Sequence, residues 1–230
     1  MNDNFEKKYF EKIYKDYTTS LSVKLNYAFL RHSILKLKNN SKLLELGCAY
    51  GYFLKSMENN FQTFGIDISK YAIEQGKKIS PASKFFQADI EKENLIELLP
   101  KMDVIVAYNL LEHLNDPEKI IKEASEILNK GGYFFIRVPN PSCIYFNILR
   151  LFGMEKKWVC YKDKTHKEKA MLTPPRKWKQ ILQKYNFKCK IIGYPPTNHI
   201  KKFLYNLNLF PTFKPLYLLN HSVVFQCKKI

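Results

Sequence analysis

Four polar positions, Glu45, Asp67, Asp89 and Asn109, each follow a short apolar run, and the first opens the stretch Glu45-Leu46-Gly47-Cys48-Ala49-Tyr50-Gly51. An apolar run that stops in an acid and then in small residues reads as a strand whose end lets a ligand approach the backbone. Glycine and alanine lack the bulk that would hold a ligand away, and glycine also reaches the positive φ such a turn needs. In an open parallel sheet, the ends of successive strands lie side by side at the switch point where ligands bind. Asp67 stands about 20 residues past Gly47, the separation at which an acid grips a ribose diol in dinucleotide-binding folds. A carboxylate accepts both hydrogens of a vicinal diol, which a lysine cannot do. Asp89, closing Phe85-Phe86-Gln87-Ala88-Asp89, suits the amino group of an adenine. Each acid alone could equally cap the next helix, so the ordered set carries the reading. The spacing Gly47-x-Ala49-x-Gly51 departs from G-x-G-x-x-G, which seats a pyrophosphate on a helix N-terminus. It suits a ligand without phosphates whose charged end is an amino acid.

Five strands must position this set. Short apolar runs alternating with amphipathic segments from Lys42 to Val138 predict a parallel sheet with crossover helices. The strands are read as Lys42 to Leu46, Gln62 to Ile66, Lys84 to Gln87, Met102 to Ala107 and Gly132 to Val138. Asp116-Pro117 is a helix start, an N-cap acid before proline at the first helical position. Ile120, Ile121, Ala124, Ile127 and Leu128 then share a helical face that Gly131-Gly132 closes. Phe5 to Lys38 reads as one or two amphipathic helices, with Phe29, Leu30, Ile34, Leu35 and Leu37 as apolar positions that pack on the sheet or over the pocket. From Pro139 to Leu172 the alternation lapses into an aromatic, lysine-rich insertion that could act as a lid. A helix starts at Thr173-Pro174 and sets Trp178, Ile181, Leu182 and Tyr185 on one face. Final strands at Lys188 to Gly193 and Ser222 to Lys228 complete the sheet around an apolar excursion.

The 230 residues suit one domain: an N-terminal helical segment (1–40), a ligand-binding core (41–138) and acceptor-side insertions (139–172 and 195–220). No apolar stretch reaches the roughly 18 to 20 residues of a spanning helix, and residues 1–17 show no secretory h-region, so a cytoplasmic location is expected. Five scattered cysteines, Cys48, Cys143, Cys160, Cys189 and Cys227, show no metal or redox spacing and read as unpaired thiols, and no metal site is expected. The formal net charge of +17 favours anionic partners such as nucleic acid, phosphorylated substrates or acidic lipid, although a lysine- and asparagine-rich composition can equally reflect codon bias. From Arg150 to Lys190 basic residues outnumber acidic ones thirteen to three. With the apolar residues Ile144 to Phe152 nearby, this half could meet a membrane surface or an anionic or lipid-linked ligand.

Taken in order and spacing, these residues resemble the class I S-adenosylmethionine-dependent methyltransferases from Lys42 to Val138. The resemblance rests on Glu45-x-Gly47-x-Ala49-x-Gly51, on Asp67 and Asp89, and on Asn109-Leu110-Leu111-Glu112-His113-Leu114-x-Asp116-Pro117. It implies a Rossmann-like doubly wound sheet, mostly parallel with an antiparallel last strand, helices on both faces and a helical, aromatic insertion. It implies S-adenosylmethionine as cofactor: Glu45, Gly47, Cys48, Ala49 and Gly51 beside its methionine, Asp67 with Ile68 at the ribose, Asp89 with Ile90 at the adenine, and Asn109 with Leu110 lining it. Ala49 stands where the family more often has glycine, which should narrow the turn without abolishing binding. Leu111-Glu112-His113-Leu114 and Asp163-Lys164-Thr165-His166 look most like the branch that methylates small molecules, including quinone-biosynthesis and natural-product O-methyltransferases. An oxygen acceptor is therefore expected, and if it must lose a proton, His166 and His113 are the candidate bases, ahead of Tyr108 and Glu112. An RNA methyltransferase lacks a recognisable RNA-binding module here, and a non-catalytic cofactor-binding subunit with the same fold is the other alternative.

Overall fold

The computed structural model describes residues 30–37, 40–142, 173–193 and 222–230, with positions 7, 8, 10, 11 and 151. Its frame is a seven-stranded sheet. The strands are β1 (Lys42–Leu46), β2 (Gln62–Asp67), β3 (Lys84–Gln87), β4 (Met102–Tyr108), β5 (Leu128–Pro139), β6 (Phe187–Gly193) and β7 (Ser222–Lys229). Between them lie α1 (Tyr52–Met57), α2 (Lys70–Ile79), α3 (Leu95–Leu98), α4 (Pro117–Ile127) and α5 (Pro175–Lys184). The strand order is β3-β2-β1-β4-β5-β7-β6, with β1 to β5 parallel and β7 antiparallel to both β5 and β6. Chain order reverses between β1 and β4, so the ends of these two strands flank the switch point.

Strand alternation divides the core into two layers. Leu44, Leu46, Ile105, Ala107, Phe134, Ile136 and Val138 face one side and pack with Ile120, Ile121, Ala124 and Ile127 of α4 and Trp178 and Leu182 of α5. Leu43, Val104, Val106 and Phe135 face the other, against Phe53, Leu54 and Met57 of α1 and Leu30 and Ile34 of the N-terminal segment. Each fully buried aliphatic side chain contributes about 1.5–3 kcal/mol, so both layers rather than helix propensity hold the crossover helices in place.

The helix over α4 begins as the residues predict: Asp116 caps it by accepting from the Lys119 amide at 3.0 Å, and Pro117 follows. Its end is a correction. Leu128 leaves the helix and opens β5 opposite Met102, ahead of a register shift after which Tyr133 pairs with Val104. Gly131, at φ +80°, lets the chain bulge there. The cysteine reading is also corrected. Cys189 and Cys227 are register partners across β6 and β7 and form a disulfide with Cα atoms 4.0 Å apart, a pairing invisible at 38 residues of separation. Cys48 is a buried free thiol, while Cys143 and Cys160 lie outside the described residues.

Candidate functional site

The turn after β1 is built by backbone geometry. Gly47, Ala49 and Gly51 take φ of +68°, +46° and +66°. In that conformation the amides of Gly47 and Cys48 both donate to the Ile66 carbonyl, at 2.8 and 3.1 Å, which ties the turn to the end of β2. Alanine in the left-handed region costs roughly 1 kcal/mol, so something must hold it there. Asp67 does so: Oδ2 accepts from the Ala49 amide at 2.8 Å, while Oδ1 accepts from the Ser69 amide at 3.0 Å. Ser69 in turn caps α2, its Oγ accepting from the Ala72 amide at 3.1 Å. One carboxylate thus fixes the turn and the start of the next helix. Ile68 beside it is 54% exposed, a large apolar side chain left open to solvent.

Glu45 lies just below this turn and is 3% exposed. Its Oε2 is buried and has no hydrogen-bond partner among the described residues. Burial, and to a lesser degree the nearby Asp67 charge, hold its carboxyl well above the ordinary range. A buried acid with an unsatisfied oxygen is costly unless a donor arrives, and a cationic donor would restore its charge.

The other strand ends close around the same point. Asp89 is part-buried; its bond with Lys92, 2.9 Å away, and the Glu91 amide at 3.1 Å hold its carboxyl below the ordinary range. Lys119 of α4 pins this loop by donating to the carbonyls of Ile90, Glu91 and Glu93 at 2.9, 3.0 and 2.9 Å, and Ile90 is buried beneath it. Glu91 accepts from the amides of Asn115 and Asp116 at 2.7 and 3.1 Å, joining the loop after β3 to the loop after β4. Asn109, exposed and at φ +54°, starts the latter loop. Leu110 folds back over the β1 turn, its Cδ1 3.0 Å from where a Cβ on Gly47 would stand. The position favours glycine chiefly for its φ of +68°, since the leucine tip can yield to a Cβ.

A short 3-10 turn, Leu111–His113, carries the next two ionisable groups. His113 faces outward with its side chain half exposed, Nε2 4.0 Å from Glu112 Oε1. Glu112 is 3% exposed and burial pushes its carboxyl up to about 7, against a smaller opposing pull from Arg137. Its Oε2 has no hydrogen-bond partner among the described residues. Burial likewise raises Tyr108 to about 12. Phe10 of the N-terminal segment stacks on Tyr50 of the turn at 5.6 Å between ring centroids, and Tyr71 of α2 donates to Glu11 at 3.3 Å.

The structure therefore gathers Glu45, Gly47, Cys48, Ala49, Gly51, Asp67, Asp89, Ile90, Asn109 and Leu110 at adjoining strand ends, with Ile68 on the rim. His166 lies outside the described residues, as do the insertion around it and most of the excursion before β7. Sequence reasoning did not single out Arg137. Its signal was a charge inside the apolar run of β5, on the face shared by Tyr133 and Phe135.

A doubly wound sheet of this order, a glycine-marked turn after β1, an acid ending β2 and a buried unsatisfied acid beside the turn define the class of S-adenosylmethionine-dependent methyltransferases. The chain belongs to the family whose model is described as "Methyltransferase domain", which matches residues 19–190. It is an enzyme that takes its methyl group from S-adenosylmethionine. It is 27% identical over 179 residues, 73% of this chain and 74% of the other, to a ubiquinone biosynthesis O-methyltransferase of Vibrio parahaemolyticus. It is 32% identical over 134 residues to the protein of that name from Pelagibacter ubique, covering 56% of this chain and 55% of that one. Its fold is shared with a TehB-like SAM-dependent methyltransferase from Corynebacterium glutamicum, at TM-score 0.66 and 12% identity across all of both chains.

Proposed function

We propose that the protein transfers the methyl group to an oxygen of a small-molecule acceptor. The observation that carries the donor half is the Asp67 carboxylate, fixed at the mouth of the turn by the Ala49 and Ser69 amides. Asp67 accepts the ribose hydroxyls, and the exposed face of Ile68 meets the adenine, with Asp89 and Ile90 at its edge. The turn from Gly47 to Gly51 carries no side chain beyond Cys48, Ala49 and Tyr50, so its backbone approaches the methionine end closely. Glu45, its Oε2 unsatisfied, takes the ammonium of that end and ionises against it. Asn109 and Leu110 close the remaining side.

When bound, the donor supplies an electrophilic sulfonium methyl. The chain's part is alignment and exclusion of water, which can account for much of the rate of a transfer between two held groups. An acceptor hydroxyl also has to give up its proton. His113, on the loop after β4 and open to solvent, is the described histidine positioned for this, and His166 in the insertion is the other candidate. The oxygen acceptor is supported by the similarity to proteins named O-methyltransferases.

Incubating the protein with methyl-labelled S-adenosylmethionine and a fractionated cell extract tests this reading. Label is expected in the small-molecule fraction, in a form stable to base if it is an ether. Label in RNA would overturn the acceptor assignment, and no label in any fraction despite donor binding would favour a non-catalytic subunit.

A further inference from the structure

Arg137 lies at the carboxyl end of β5, on the same sheet face as Glu45 and directly opposite Tyr108 in the β4–β5 register. It is clamped to the loop after β4 in both directions. The Asn109 amide donates to the Arg137 carbonyl at 3.1 Å, and Arg137 Nη1 donates to Asn109 Oδ1 at 2.6 Å. The guanidinium carbon sits 4.8 Å from the centroid of the Tyr108 ring, so the ring face supports the guanidinium. These contacts pre-orient a cation that no carboxylate among the described residues pairs with directly. Its Nε is shielded from water with no acceptor among them. The acid that feels its field, Glu112, is itself buried, and burial pushes its carboxyl up and so disfavours the charge that would offset Arg137. A part-buried cation held by one neutral amide oxygen and one ring is unfavourable unless an anion completes it. Among the described residues Nη2 makes no hydrogen bond, and with Nη1 it forms the outer end of the planar guanidinium, a fork that matches a carboxylate.

The position relative to the donor cradle gives this fork its use. Asn109, which Arg137 grips, is followed directly by Leu110, whose side chain lies over Gly47. The guanidinium therefore borders the strand ends where the methyl donor is expected, on the side away from Asp67 and Asp89.

Resting on the methyl-transfer reading above, we propose that Arg137 is a specificity-determining residue that binds a carboxylate of the acceptor and so aims the acceptor's nucleophile at the donor. The bland alternative is that Arg137 only braces Asn109. The two differ in one respect: a brace has no preference among acceptors.

The test uses the full chain saturated with S-adenosylhomocysteine and ligand-observed NMR at millimolar probe. 3-Hydroxybenzoate and octanoate are compared with their uncharged amides, with phenyl phosphate as a further arm. Both carboxylates are expected to bind at least about tenfold more tightly than their amides, the scale of a charge-assisted fork. Arg137→Met should erase that ratio, and Arg137→Lys, which keeps the charge without the fork, should keep only part of it. Thermal unfolding and S-adenosylhomocysteine affinity report whether the variants fold, and if Arg137→Met does not, the Lys variant and the parent ratio decide. Equal binding of acid and amide by the parent, an undiminished ratio in the variants, or phenyl phosphate binding in place of the carboxylates would overturn the proposal while the donor reading stands. Failure of the parent to bind S-adenosylhomocysteine at all would instead overturn the donor reading, and this inference with it.

Discussion

Glu112→Gln should raise stability relative to the parent as pH increases, by an amount set by burial. Glu112 is 3% exposed, and its carboxyl moves from 4.5 to about 7 in the folded protein, chiefly through desolvation. In the unfolded chain it titrates at its ordinary value. Between those two values the folded protein therefore holds a proton that the unfolded chain has released, and in that window stability falls as pH rises. The contribution is complete below the unfolded value and is lost as pH climbs through the folded one. At about 1.36 kcal/mol per pH unit, the displacement amounts to roughly 3 kcal/mol, most of which falls between about pH 5 and about pH 8. Glutamine keeps the shape and does not titrate, and the cost of burying its amide is the same at every pH. The parent-minus-variant difference in unfolding free energy should therefore drop by roughly 2–3 kcal/mol across that interval. Urea denaturation at several pH values in one buffer system of constant ionic strength measures it directly. A difference that changes by less than about 0.5 kcal/mol, or that grows with pH, would refute the reasoning, because a solvated or fully paired Glu112 gives no such slope.

Asp67→Ala should weaken S-adenosylhomocysteine binding by at least about a hundredfold in calorimetry, since two hydrogen bonds to a charged group, at about 1.5–3 kcal/mol each, are removed. An affinity within about threefold of the parent would contradict the ribose assignment. Asp67→Asn should fall between, because one amide oxygen cannot replace two carboxylate oxygens that already accept from Ala49 and Ser69. Ala49→Gly should stabilise the protein by about 0.5–1 kcal/mol, as the residue at φ +46° no longer carries a Cβ, and a lower denaturation midpoint would argue against that backbone. Gly51→Ala should cost about 1–3 kcal/mol, because its Cβ would stand 2.7 Å from Phe85 Cζ at φ +66°; an unchanged midpoint would count against the packing of that turn.

The strands were legible because each is an apolar run ended by a polar residue or a turn. β1 and β3 have the expected bounds, β2, β4, β6 and β7 each run one residue further at one end, and β5 starts at Leu128 rather than Gly132 and ends at Pro139 rather than Val138. Leu128 misled because its apolar character fits the α4 face as well as a strand, and only pairing with Met102 decides between them. The acid at Asp67 was legible from its distance to Gly47. Its grip on the Ala49 amide was not, because that bond depends on how closely β2 approaches the turn. Gly65 makes that approach close: a Cβ there would stand 2.7 Å from Leu54 and 2.8 Å from Cys48. Arg137 escaped notice for a similar reason. Its partners Tyr108 and Asn109 are brought to it by the register of β4 on β5, which no local pattern encodes. The disulfide between Cys189 and Cys227 is likewise a product of the β6–β7 register.

A crystal structure with S-adenosylhomocysteine bound tests the central claim most directly. The ribose hydroxyls should lie about 3 Å from the Asp67 carboxylate, the amino-acid end against the Gly47–Gly51 turn with its ammonium toward Glu45, and the sulfur facing the β4 and β5 ends beside Asn109 and Arg137. Ligand seated elsewhere on the sheet, or a ribose that leaves Asp67 untouched, would contradict it.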